Sequence, residues 1–207
     1  MARLAPVLAL ALVLAPPAQA AFKTFGADLS AHPTKQEADP VDSVYWNTRL
    51  PGGKVRSPVQ GEVAVVRLKG RVRVNGSPPP GFAMFLQTLR PTGDGGVQVI
   101  GTTPLDVPYG GKHDRVTTYR LAARDANLCV RRGDYLGLAT NGGFGAGYEH
   151  GAIVQMFAAR AGAAYAAFTG AGGDMNGSTL SGRTHTGRDV LLRTRIATGS
   201  DATPFCR

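Results

Sequence analysis

Glycine and proline cut this chain into pieces too short for long helices, and this narrows its fold more than any other feature. The 207 residues include 28 Gly and 14 Pro. Between these breakers lie short runs rich in Val, Leu, Ile, Thr and aromatics, several alternating with a repeat of two. Residues 62–69 carry Val63, Val65, Val66 and Leu68 and end at Gly70. Residues 82–89 are almost wholly apolar between Pro78-Pro79-Pro80 and Pro91, and residues 97–100 follow the turn Asp94-Gly95-Gly96. Residues 116–122 alternate, with Val116, Thr118 and Arg120 on one face and Tyr119 and Leu121 on the other. Residues 128–130 and 135–139 flank Gly133-Asp134. Residues 189–197 place Val190, Leu192 and Ile196 inward and Arg193 and Arg195 outward. Strand-length runs at this spacing predict an all-β fold, an antiparallel two-sheet sandwich that is jelly-roll-like. Val65, Leu68, Phe85, Leu121, Leu136, Leu138, Val190 and Leu192 are its expected core.

Three segments are less clearly patterned. Prolines 33, 40, 51 and 58 predict an irregular stretch over residues 21–58, with one short strand at Val44-Tyr45-Trp46. Trp46, the only tryptophan, reads as a core or edge anchor. Residues 152–168 fit a helix by the spacing of Ile153, Phe157, Ala161 and Phe168 and by alanine content, but Gly162 interrupts them. We take 152–158 as strand. Residues 169–188 are rich in Gly, Ser and Thr and predict a mobile loop.

The N-terminus predicts export. Arg3 precedes an apolar stretch over residues 4–14, Pro16-Pro17 breaks it, and Ala18-Gln19-Ala20 forms a small-residue cleavage site. We therefore read residues 1–20 as a cleaved signal peptide, with the mature chain starting at Ala21 and residues 21–207 forming one domain. The alternative is an uncleaved anchor, for which the apolar run is short. Losing Arg3 takes the net charge from +9 to +8, so the mature protein is basic. Cys129 and Cys206 are the only cysteines, and an even count in an exported chain predicts a disulfide between them rather than two buried thiols.

The order of motifs resembles a family. Thr24-Phe25-Gly26-Ala27-Asp28-Leu29 follows the leader, and Ser57-Pro58-Val59-x-Gly61-x-Val63 opens a strand closing in Arg67-x-Lys69-Gly70. Leu89-Arg90-Pro91, Gly101-Thr102 and Val130-x-x-Gly133-Asp134-Tyr135-Leu136-Gly137-Leu138 come after. The arrangement is similar to a group of exported β-sandwich domains of soil actinobacteria and spans most of residues 24–200. The resemblance implies the fold and brings no activity with it. Relatives often end in an Asp-rich calcium-binding tail. This chain has only Asp201 there, so calcium is not carried over.

No motif predicts catalysis, a cofactor or a metal. Arg132-Gly133-Asp134 could be an adhesion tripeptide but reads as a tight turn. His32, His113, His150 and His185 show no ligand spacing, although Glu149-His150 and His113-Asp114 are neighbours. Ser178, Ser181, His185 and Asp189 could be drawn together as a triad, but on a loop that is a poor scaffold for one. Glycine clusters at 142–147 and 170–177 match no phosphate-binding pattern. The basic residues are scattered along strands without interleaved aromatics, so nucleic acid is not the expected partner. An anionic cell-wall or extracellular polymer is, and no stable membrane insertion is expected. We expect a secreted or cell-exterior, non-catalytic binding or structural module, with Phe144 and Tyr148 as candidate binding aromatics. The alternative is a polymer hydrolase assembling its acids from Glu37, Asp42, Glu62 or Glu149.

Overall fold

The computed structural model describes residues 22–38, 42–73, 82–121, 128–141, 153–173 and 175–206. In chain order the strands are β1 (Lys23–Gly26), β2 (Lys35–Ala38), β3 (Ser43–Arg49), β4 (Gly61–Lys69), β5 (Arg71–Arg73), β6 (Ala83–Pro91), β7 (Val97–Leu105), β8 (Val116–Arg120), β9 (Cys129–Val130), β10 (Tyr135–Asn141), β11 (Ile153–Thr169), β12 (Thr179–Leu180), β13 (Arg183–Val190) and β14 (Leu192–Ala197). Two single 3-10 turns follow, and no α-helix occurs among the described residues.

The strands form two antiparallel sheets packed face to face. The smaller runs β1-β14-β4-β8, with β9 also paired to β4. The larger runs β12-β7-β6-β10-β3-β11-β13, with β2 and β5 both paired to β11. Among the paired neighbours only β6 and β7 are consecutive in the chain. Several of the other connections, such as β3 to β4, β7 to β8 and β13 to β14, cross from one sheet to the other. The expected two-sheet sandwich is thus the fold.

The interior draws on both sheets. Leu68, Val66 and Ile196 from the smaller sheet meet Leu86, Leu138 and Met156 from the larger. Tyr45, Phe157 and Tyr165 pack edge-on or tilted at centroid distances of 5.0 to 6.2 Å. Burying one such apolar side chain stabilises the fold by about 1.5–3 kcal/mol. Leu68, Leu136, Leu138, Val190 and Leu192 are buried as expected.

The other three expected core residues are only partly buried. On β4 the pairing register slips opposite Arg195 and Ile196. This bulge turns Val65 outward and sends Val63, Val66 and Leu68 inward. Phe85 belongs to a second apolar layer on the outer face of the larger sheet, with Val44, Trp46, Leu89 and Leu180. Leu121 lies just past the end of β8, against the margin of the main core.

Four element expectations are corrected. The region 21–58 holds three strands, because β1, β2 and β3 find partners far along the chain. The strand expected over 152–158 forms from Ile153, and what is corrected is its length: it continues to Thr169 through the stretch that also fitted a helix. A register shift between Ala159 and Ala164 absorbs the surplus residues, with Gly162 at φ +77° inside it. Residues 169–188 are not simply a mobile loop: they contain β12 and most of β13 and cover the second apolar layer. There Gln87 Nε2 donates to the Gly173 carbonyl at 2.8 Å, and Trp46 lies so close to Gly182 that a Cβ there would sit 2.4 Å from the indole. Residues 189–197 are two strands, since the chain changes sheets at the buried Leu191. Trp46 is itself buried, as an anchor should be.

Candidate anion-binding face

The outer face of the smaller sheet is built by strand alternation. On β14, Leu192, Thr194 and Ile196 point into the sandwich, so Arg193 and Arg195 must point out. Pairing then fixes their neighbours. Arg193 stands directly opposite Arg67 of β4, and Arg67 opposite Thr118 of β8. In the adjacent row Arg195 stands opposite Val65, and Val65 opposite Arg120. On the far side of β14, Thr24 of β1 pairs with Arg195. Arg67, Arg120, Arg193 and Arg195 are all exposed.

Cross-strand neighbours lie about 5 Å apart, and residues two apart on a strand about 7 Å. Both spacings are within the Debye length of about 8 Å at physiological salt, so the four guanidinium fields add. Like charges directly opposite on a sheet disfavour the fold. Arg67 facing Arg193 is therefore an arrangement that stability alone does not explain. The face also has an aromatic edge: the Arg195 guanidinium lies 4.3 Å from the centroid of the Phe22 ring. A depression of about 160 Å³ is set among Thr24, Val65, Arg67, Arg193 and Arg195.

This face runs into a larger cleft of about 510 Å³, which shares Thr24 and Arg193 and adds Lys54 and Arg160. Asp28 is the carboxylate in its lining. Its oxygens accept the Ser30 hydroxyl at 2.7 Å and the Ser30 N–H at 3.0 Å. These bonds first, and then the charges of Arg160 and Arg193, hold it below the ordinary carboxylate range. Arg160 is occupied as well: Nη2 donates to the Asp28 carbonyl at 3.0 Å, and Nε lies 3.1 Å from the buried carboxylate of Asp189.

Along the sequence these cations are scattered over separate strands with no aromatic among them. Strand pairing gathers them and lays Phe22 on Arg195. The outward phase of Arg193 and Arg195 was legible, as was the face that Arg120 shares with Val116 and Thr118. Their adjacency to Arg67 was not, because it depends on register between strands distant in the chain.

The other candidates fare differently. Phe144, Tyr148, His150 and Glu149 lie outside the described residues. Arg132-Gly133-Asp134 is a turn, with Gly133 at φ +97°. Asp134 is buried, takes both Nε and Nη2 of Arg90 at 3.1 Å, and accepts the Arg131 N–H at 2.7 Å. The adhesion reading fails because its aspartate is not presented to solvent. The serine triad is not assembled. Ser178 donates to the Gly172 carbonyl, His185 stacks on Tyr165, and Asp189 is paired with Arg160. His185 and Asp189 are also four residues apart on one strand, about 13 Å.

Among the hydrolase acids, Glu62 is buried on β4, where Oε2 accepts the Thr203 N–H at 2.8 Å and holds the C-terminal segment. Asp42 precedes β3 in the other sheet, and nothing is described for the side chain of Glu37. His32 and His113 are exposed. Among the described residues no group of three or more His, Cys, Asp or Glu could hold a metal ion. Cys129 and Cys206 form the expected disulfide, with Cα atoms 5.1 Å apart. No described helix is long and apolar enough to cross a membrane.

No family model, no curated protein and no solved structure matches this chain. The class that fold and surface define is a disulfide-tied β-sandwich with an arginine-lined outer sheet.

Proposed function

We propose that this protein is exported and binds an anionic polymer at the cell exterior through the outer face of its smaller sheet, without catalysing a reaction. The observation that carries the reading is the direct opposition of Arg67 and Arg193, extended by Arg120 and Arg195 in the adjacent row. A flat array of guanidinium groups suits repeating carboxylates or phosphates along an extended chain, each taken by a forked donor. The polymer offsets the repulsion that the bare face suffers.

The test is affinity of the purified protein for polygalacturonate and for poly(glycerol phosphate) as a function of salt. Replacing Arg67, Arg120, Arg193 and Arg195 together by Ser should weaken binding at least about tenfold and flatten the salt dependence, by analogy with counterion release from other polyanions. These side chains are exposed, so the fold should survive. Unchanged affinity in a folded variant would overturn the proposal.

Export rests on the signal-like residues 1–20 and fits a disulfide-forming compartment. Intact-mass measurement of the exported protein should place its N-terminus at Ala21. A membrane-bound product retaining Met1 would show an anchor instead.

A further inference from the structure

A second cleft of about 340 Å³, separate from the arginine face, is lined by residues of β6 and β7 from the larger sheet, β9 from the smaller, and the C-terminal segment. This is at the small end of ligand pockets and suits a single ring. We propose that it binds a sugar acid, a pyranose carrying a carboxylate. The inference does not depend on polymer binding at the outer face.

Four observations converge. First, Thr88 of β6 lies in the cleft lining, and its Oγ1 is fully buried without a hydrogen-bond partner. A buried hydroxyl left unpaired destabilises the fold, so its retention calls for a partner. Second, Thr88 faces Gly101 across the β6–β7 pair, where any side chain would crowd its hydroxyl. A Cβ on Gly101 would sit 3.2 Å from Thr88 Oγ1 and 3.1 Å from Leu128. Third, Arg90 and Arg131 both line the cleft; Asp134 neutralises Arg90, so Arg131 supplies the charge for a carboxylate. Arg90 is aimed by its two bonds to Asp134, while the Arg131 backbone is fixed by the same carboxylate. Fourth, Phe205 forms part of the wall while 76% exposed, the most exposed large apolar side chain described.

An exposed aromatic ring offers a platform for the apolar face of a sugar, and Gln60 at the rim adds an amide for its hydroxyls. The wall bearing Phe205 is pinned on both sides, by the Cys129–Cys206 disulfide and by Glu62 on the Thr203 N–H. The cleft is therefore built by the C-terminal tether.

The experiment is titration of the intact protein with glucuronate, glucose and benzoate, followed by NMR shifts and calorimetry. Glucuronate should bind with saturable shifts that include Thr88 and Phe205, and neither glucose nor benzoate should match its affinity. Arg131→Ala and Phe205→Ala should each weaken glucuronate at least about fivefold. Thr88→Val separates ligand binding from a structural role. It should raise the melting temperature by removing the orphan hydroxyl and, at the same time, lower glucuronate affinity. A purely structural Thr88 would move the first reading and leave the second alone. Equal or better binding of benzoate would overturn the sugar-acid assignment. Absence of glucuronate binding, or binding indifferent to all three variants, would overturn the site. Polygalacturonate binding that survives Arg131→Ala but fails in the sheet-face variant would leave the outer-face reading standing on its own.

Discussion

Asp189 shows how a single residue couples this fold to pH. It is fully buried, and burial pushes its carboxyl above the ordinary range, against the opposing pull of Arg160. A folded-state pKa above the unfolded one means that the folded protein binds the proton more tightly in that window. The contribution of Asp189 to stability is therefore greatest at low pH and declines as pH rises from the unfolded value through the folded one. Arg160→Ala removes the pull and leaves an uncompensated charge. It should cost about 3 kcal/mol near neutral pH, and distinctly less under acid conditions where Asp189 is protonated. Chemical denaturation at the two pH values checks this, and an equal loss at both would show that Arg160 acts by packing alone. Asp28 has the opposite sense. Held down by Ser30, it stabilises above its ordinary pKa, and that contribution is lost as pH falls. None of this was legible in the sequence, where Asp189 was an acid near a serine-rich loop. Its meaning comes from Arg160, which β11 brings across to β13.

Elements in this fold are limited by backbone approach as much as by hydrophobic pattern. Gly70 ends β4 at φ +131°, where a Cβ would sit 2.1 Å from the Gln155 carbonyl oxygen of β11. At Gly95, with φ +86° in an open turn, an added Cβ would meet nothing within 4 Å. Alanine at Gly95 should cost only the left-handed backbone penalty, about 1–2 kcal/mol. Alanine at Gly70 should cost clearly more, about 3 kcal/mol or above, because a strand backbone must also move. Melting curves of the two variants test this, and similar losses would refute the close-approach account. Sequence alternation alone placed β8 and the outward arginines of β14 correctly. It failed where a bulge resets the phase, as at Val65, and where one strand covers two tasks, as in β11. Periodicity assumes an unbroken register, and a bulge is chosen by the partner strand.

The whole molecule is closed by one covalent bond. Cys129 and Cys206 are 77 residues apart, and closing a loop of that size stabilises by roughly 4–5 kcal/mol at most in the chain-entropy model. Thiol titration should find no free thiol in the unreduced protein and two after reduction, with a marked drop in melting temperature. Free thiols before reduction would contradict the bridge. The sandwich and this bridge were already determined by the chain itself, through breaker spacing, two-residue alternation and a lone pair of cysteines, because each depends on local chemistry or simple counting. Tertiary structure alone decided that β1, β2 and β3 emerge from a proline-broken region, that Glu62 holds the tail, and that Arg67 meets Arg193. Those outcomes depend on which distant strands pair and in what register. That choice is set by the combined packing of both sheets, and no short stretch of sequence contains it.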